Sequence, residues 1–241
     1  MTKPSGPASL AVFASGSGTN LQSLIDTFGP DGQPDSAARV ALVVSDRDGI
    51  GALERAQSAG VPTAVINPKE LDGPDSFAEA LLKKLGEHGI ELIALAGYLK
   101  LVPAVVVESF RGKIVNIHPG PLPAFGGSGM YGHHVHEAVL RSGVKVSGPT
   151  VHFVDERYDL GPIIAQWPVP VLPGDDSRRL AARVLRYEHR LYPQVVRALA
   201  LGAIEMDEDG RARSAQGSGK EDVGFALTDE IRSIESTRLL G

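Results

Sequence analysis

Residues Leu10–Phe28 read LAVFASGSGTNLQSLIDTF. The opening five residues are wholly apolar, the pattern of a short strand covered on both faces. From Asn20 the period changes. Leu21, Leu24, Ile25 and Phe28 fall on one face of a helix. A glycine loop joins the two. Strand, glycine turn and amphipathic helix open a βαβ pattern that the chain repeats. Further strands are expected at Val40–Val44, Thr63–Ile66, Leu92–Ala96 and Ile114–Ile117. Helices are expected at Gly51–Ala59, Phe77–Glu87 and from Pro103 to about Phe110. This alternation predicts an α/β fold: a doubly wound, mostly parallel sheet flanked by helices, with right-handed crossovers.

The second half changes character. Residues 120–132 carry Gly120, Gly126, Gly127, Gly129 and Gly132 with two prolines, and read as a loop. A helix is expected at His134–Arg141, then strands at Thr150–Val154 and Ile163–Val169 around a polar turn. Ser177–Ala200 reads as a long helix with Ser177 as its N-cap. From Asp207 the chain is polar and rich in Gly and Ser. The expectation is one domain over residues 1–206 and a flexible polar tail over 207–241.

Composition excludes several functions. A 241-residue chain with 42% hydrophobic residues can bury a substantial core. A net charge of −5 without a basic run argues against nucleic acid as a main partner. With no cysteine there is no disulfide, thiolate metal site or cysteine nucleophile. No apolar run is long enough for a membrane helix, and the start lacks the pattern of a signal peptide. A cytoplasmic protein with no membrane partner is the expectation.

Three places can carry chemistry. The first is ASGSGTN, Ala14–Asn20. Its glycines let backbone approach a ligand, and the helix that follows offers free amides and a positive dipole end to an anion. The third glycine of a dinucleotide fingerprint is missing, since Leu21 stands there, and so is the lysine of a nucleotide-triphosphate loop. One phosphate monoester fits better; a plain glycine turn is the alternative.

The second is VNIHPGPLP, Val115–Pro123. Asn116 and His118 share one side-chain parity at a strand end, where open α/β sheets bind ligands. An amide N–H can stabilise an oxyanion, and an imidazole can move a proton. The third is DERYDLGP, Asp155–Pro162, where Asp159 can meet His118 or merely cap its own turn. His133, His134 and His136 suggest a metal, but only Glu137 stands near as a further ligand, so no metal is expected.

Together these places resemble the folate-dependent phosphoribosylglycinamide formyltransferase family of purine biosynthesis. The resemblance covers about Ser9–Ala203, through SGSGTNLQSLI, LAGYLKLV, VNIHPGPLP, GPTVHFVDERYDLGPII and EHRLYP. It implies the formyltransferase fold and transfer of a formyl group from 10-formyltetrahydrofolate to the amine of glycinamide ribonucleotide, without a metal. The implied catalytic trio is Asn116, His118 and Asp159, with a protonated His118 and Asn116 stabilising the formyl oxygen. Gly18, Thr19 and Asn20 are implied to hold the substrate phosphate, and Glu188 its sugar or amine portion. Leu99, Lys100, Leu101 and Val102, with Asn116, are implied to line the folate site. The resemblance leaves a homodimer open. Two departures stand out: the segment AFGGSGMYGHHVHEA is longer than in many members, and no arginine lies near Pro74–Phe77, where many members carry one for folate.

Overall fold

The computed structural model describes residues 6–30 and 36–215. Strand β1 (Ala8–Ala14) leads to helix α1 (Thr19–Phe28), then β2 (Ala38–Ser45), α2 (Gly51–Ser58), β3 (Thr63–Val65), α3 (Pro74–Glu87), β4 (Leu92–Leu95), α4 (Ala104–Ser109) and β5 (Ile114–His118). A long loop then reaches α5 (His133–Ser142), β6 (Val146–Ser147), β7 (Thr150–Phe153), β8 (Ile163–Gln166), β9 (Val169–Pro170) and α6 (Ser177–Ala200). The last elements are β10 (Ile204–Met206) and β11 (Ala212–Ser214).

Seven strands form one sheet in the order β3-β2-β1-β4-β5-β7-β8. β1 to β5 run parallel, while β7 and β8 pair antiparallel, so the sheet is mostly parallel as expected. Alternate residues of β1 feed opposite faces. Leu10, Val12 and Ala14 pack with α1, α2 and α6; Ala11 and Phe13 pack with α3 and α4. Both faces are covered, which is why β1 reads as an unbroken apolar run. The strand order reverses between β1 and β4, so the loops leaving β1, β4 and β5 border one crevice. The fully buried Tyr192 of α6 pins that edge, its hydroxyl donating to the carbonyls of Leu95 (2.8 Å) and Val115 (3.1 Å).

Three expectations need correction. The strand expected over Ile163–Val169 is split: β8 ends at Gln166, and β9 pairs with β6 in a separate ribbon. Pro168 has no N–H for a ladder, and Trp167 instead donates its N–H to Pro149. The N-cap of α6 is Asp176, not Ser177; its carboxylate accepts the Arg179 N–H at 2.8 Å. The boundary expected at 206/207 falls inside an antiparallel hairpin of β10 and β11, closed by an Asp207–Arg211 backbone bond and a Glu205–Arg213 ion pair. Polar side chains suit that hairpin because it lies at the surface. The expected tail from residue 216 onward lies outside the described residues.

Candidate active site

The crevice is a cleft of about 770 Å³. Its walls are the loop after β1 (Ser15–Asn20), the loop after β4 (Ala96–Lys100), the end of β5, the glycine-rich loop from Gly127 to His133, and the first turns of α6. A narrower groove of about 60 Å³ adjoins it, walled by Leu101, Val102, Val154 and Asp155. Tyr98, Lys100, Asn116, Tyr158 and Asp159 line both spaces.

At the first wall the chain turns at Gly18, whose φ is 74°, to start α1. A Cβ there would lie 2.6 Å from the Cα of Ala52, so glycine is also required by the close approach of α2. The loop carbonyls point away from the cleft. Gly16 accepts the Ala52 N–H, Ser17 the Arg55 Nε–H at 2.9 Å, and Gly18 the Gln22 N–H. The amides of Thr19 and Asn20 open α1 and so have no intrahelical acceptor. No side chain caps this end, which leaves it suited to an anion. The Asn20 side-chain amide donates one hydrogen to Glu188 Oε2 at 2.6 Å, and its buried Oδ1 has no partner.

Glu188 sits midway along α6, buried, facing the cleft. Burial raises its carboxyl to about 6, only partly offset by the Asn20 hydrogen bond. It is a carboxylate poised to gain from a cationic or hydroxyl-bearing ligand.

The three residues expected to act together do meet. β5 places Asn116 and His118 on one side, two residues apart. Asp159 reaches them from the β7–β8 turn. It is the only residue other than glycine, among those described, with a positive φ, 56°. That is a costly conformation tolerated where it aims a functional side chain. Asp159 Oδ2 lies 3.5 Å from His118 Nδ1 and accepts the Gly127 N–H at 3.0 Å; Oδ1 lies 3.4 Å from Asn116 Nδ2. Burial raises the Asp159 carboxyl, while the His118 ring and the Gly127 N–H pull it down, and it lies below the ordinary carboxylate range. The turn-capping alternative is set aside by these contacts, all made with residues distant in sequence.

Burial opposes the expected protonated His118. Its Nε2 donates to the Phe125 carbonyl at 2.7 Å, leaving Nδ1 toward Asp159. Burial depresses the imidazole below its ordinary value, against the pull of Asp159 and the Phe125 carbonyl. Burial thus favours the neutral ring, in which Nδ1 faces Asp159 as a proton acceptor.

Other residues join that the sequence reading did not single out. His152 stands opposite Asn116 in the β5–β7 register. Its Nδ1 donates to the Phe153 carbonyl at 2.7 Å, so Nε2 accepts the Asn116 amide at 3.0 Å and fixes which way that amide points. The only sequence signal was an alternating VHFV strand, and the antiparallel register that brings it to Asn116 is not local information. Buried Asp46 is held below the carboxylate range: burial raises it, and Arg47, Ser15 and Lys100 pull it down. Its partners Arg47 and Lys100 both line the cleft.

The expected folate residues divide. Leu99 and Lys100 line the main cleft, while Leu101 and Val102 line the side groove. Val102 is 2% exposed and belongs to the core, so it supplies wall rather than a free side chain. Of the histidine cluster, His136 is buried on α5, whereas His133, His134 and Glu137 are exposed with ligand atoms within 4.8 Å of one another. His133 and His136 both line the cleft, but of the two only His133 is exposed.

Residues 8–196 match the Formyl transferase family. The chain is 43% identical over 204 residues to the chloroplastic phosphoribosylglycinamide formyltransferase of Arabidopsis thaliana, covering 83% of this chain and 68% of that protein. It is 39% identical to the phosphoribosylglycinamide formyltransferase of Bacillus subtilis, covering 78% and 93%. The crystal structure of glycinamide ribonucleotide transformylase 1 from Symbiobacterium toebii superposes with a TM-score of 0.77 at 40% identity, covering 86% of this chain and 94% of that one. The chain spans 64% of the Vigna unguiculata relative and 19% of the trifunctional purine biosynthetic proteins of chicken, cow and human. With the family match spanning most of its sheet and both sides of its cleft, this chain belongs to the formyl transferase family and is an enzyme of the formyltransferase type.

Proposed function

We propose that the enzyme transfers the formyl group of 10-formyltetrahydrofolate to the primary amine of glycinamide ribonucleotide, giving N-formylglycinamide ribonucleotide in de novo purine biosynthesis. The observation that carries this reading is the meeting of two spaces on Asn116 and Asp159. One space ends in an uncapped helix N-terminus suited to an anion, and the other is a narrow groove walled by Leu101, Val102 and Val154 together with Asp155 and Arg157.

In this reading the acceptor's phosphate rests on the amides at Gly18, Thr19 and Asn20. Its sugar or amine portion meets Glu188. The folate-type donor lies along Leu99–Val102, with its formyl carbon beside Asn116. The neutral amine attacks that carbon, and negative charge grows on the formyl oxygen. Asn116 is suited to hold that charge: one amide hydrogen serves His152, and the other makes only a long contact to Asp159. The amine must then lose a proton. His118 Nδ1 and the Asp159 carboxylate provide the path, directly or through a water. His118 becomes cationic as it accepts that proton, beside a carboxylate that stabilises the charge; the tetrahedral intermediate then collapses, the C–N10 bond breaks, and N10 takes that proton as tetrahydrofolate leaves. No resident metal is needed for these steps. The soluble, anionic substrates suit a cytoplasmic enzyme, and no helix among the described residues is long and apolar enough to cross a membrane.

The test is to follow a 13C-labelled formyl carbon by NMR. Its appearance as the formamide of the ribonucleotide supports the reading. Its recovery as formate, whether or not acceptor is present, indicates hydrolysis instead and contradicts it.

A further inference from the structure

A trans peptide unit is planar, so a carbonyl and the N–H of the next residue point in opposite directions. Whatever holds the carbonyls of Gly16, Ser17 and Gly18 therefore also aims the amides of Ser17, Gly18 and Thr19. Main-chain amides hold two of the three: Ala52 donates to Gly16 at 3.1 Å, and Gln22 donates to Gly18 at 2.9 Å. The Ser17 carbonyl is held by a side chain. Arg55 Nε–H donates to it at 2.9 Å. Of these three bonds, it is the one that a side-chain substitution removes.

Arg55 sits half-buried on α2. Its planar fork makes a second bond, from Nη1 to Gln22 Oε1 at 3.1 Å. The Gln22 amide is itself oriented, because its Nε2 donates to Asp26 Oδ1 at 2.8 Å. Two rigidly spaced donors thus tie the glycine loop to the start of α1, which a single ammonium could not do in the same geometry. α2 also crowds the same peptide: a Cβ at Gly51 would lie 2.9 Å from the Ser17 oxygen. With its carbonyl turned to α2, the Ser17–Gly18 peptide presents its N–H on the opposite side, where Gly18 lines the cleft.

We propose that Arg55 is a positioning residue for the acceptor substrate: by holding the Ser17 carbonyl, it aims the Gly18 N–H at the acceptor's phosphate. This deepens the proposed function and rests on its placement of that phosphate at Gly18–Asn20. Arg55 acts through the Ser17–Gly18 peptide and does not touch the ligand. The contact to Ser17 lies at the surface, where water competes for it. It therefore adds little to the stability of the fold, and its effect appears in the direction of one amide.

Arg55→Met keeps a long, helix-compatible side chain and removes both bonds. Calorimetry of glycinamide ribonucleotide and of its dephosphorylated riboside, on wild type and variant, closes a double cycle. The expected result is a ribonucleotide Kd weaker by roughly 10-fold, a riboside Kd unchanged, and a kcat at saturating substrates near wild type. The ratio of variant to wild-type Kd should persist from about 0.1 M to about 1 M salt, because an aimed amide is not screened as a distant charge is. Gln22→Met, which takes away the second anchor of Arg55, should show a smaller loss that also depends on the phosphate; it carries the same test if Arg55→Met does not fold. An unchanged ribonucleotide Kd overturns the proposal. So does an equal loss for both ligands, which marks a general structural role, and so does a loss that vanishes at high salt, which marks a charge acting at a distance. Wild type that binds the two ligands equally overturns the phosphate placement, and this inference with it; a preference for the phosphate that wild type and variant share in full removes this inference alone.

Discussion

The carboxylate of Asp159 accepts the backbone N–H of Gly127 at 3.0 Å. One residue thereby ties the glycine-rich loop to the end of β5. Gly126 packs close beside it: a Cβ there would lie 3.0 Å from the Asp159 Cβ and 2.3 Å from Leu122 Cδ2. Loop and carboxylate are thus one unit. Asp159→Asn keeps an oxygen for Gly127 and removes the charge beside His118. The expected outcome is a fall in kcat of roughly 10²–10⁴-fold, the usual range for an acid–base group, with KM for the acceptor little changed. Steady-state kinetics with each substrate varied in turn checks this. Near-normal kcat would return Asp159 to a loop-fastening role.

The depressed His118 has a sign that can be measured. Its imidazole should titrate below the ordinary 6.5 in the free enzyme. Because the folded ring binds its proton less readily than the unfolded one, this group lowers stability below about pH 6.5 and has no effect above it. A 15N NMR titration of the ring should show a midpoint under 6.5. In Asp159→Asn it should fall further, because the carboxylate that supports the charge is gone. A midpoint above 7 would restore a permanently protonated His118.

Glu188 gives the opposite sign for a carboxyl. Its folded value of about 6 exceeds the ordinary 4.5, so the folded state holds its proton more tightly than the unfolded one. Stability linked to it is present below pH 4.5 and is lost as pH rises through about 6. The difference of about 1.5 units corresponds to roughly 2 kcal/mol of destabilisation at pH 8. Glu188→Gln should therefore raise stability by up to about 2 kcal/mol at pH 8 and change it little at pH 4.5. Denaturant unfolding at the two pH values checks it. The same variant should bind the acceptor less well.

Much of the fold was legible because its signals are local. The apolar run of β1, the helix-period stripe of α1 and the glycine between them lie within nineteen residues of Leu10–Phe28. Ser177–Ala200 was readable to its ends for the same reason. The N-cap beside it was not, because Asp176 and Ser177 are both good caps and only the backbone decides between them. Asn116 and His118 were legible as a pair through strand parity. Their partner His152 was not, because it reaches Asn116 only through the antiparallel register of β5 and β7. The protonation of His118 is not legible locally, because the sequence shows a nearby aspartate but not the degree of burial that opposes it. The hairpin at Ile204–Ser214 was missed because its polar composition resembles that of a tail.

The helix terminus at Gly18 makes a prediction about the acceptor. Removing the 5′-phosphate should weaken acceptor binding strongly while leaving donor binding alone. Equal affinities for glycinamide ribonucleotide and its dephosphorylated riboside would remove the phosphate from this site. Gly18→Ala should both destabilise the fold and weaken the phosphorylated acceptor, because the added Cβ pushes α2 away from the loop.

The central claim is that formyl transfer takes place where the two spaces meet at Asn116, His118 and Asp159. Its most direct test is the absorbance change on consumption of 10-formyltetrahydrofolate, followed with and without glycinamide ribonucleotide, for wild type and Asn116→Ala. The account predicts turnover by wild type only when the acceptor is present, and a rate lowered by roughly 10²–10³-fold in the variant, as for loss of an oxyanion donor. Consumption of the donor without acceptor, or an Asn116→Ala rate equal to wild type, would contradict it.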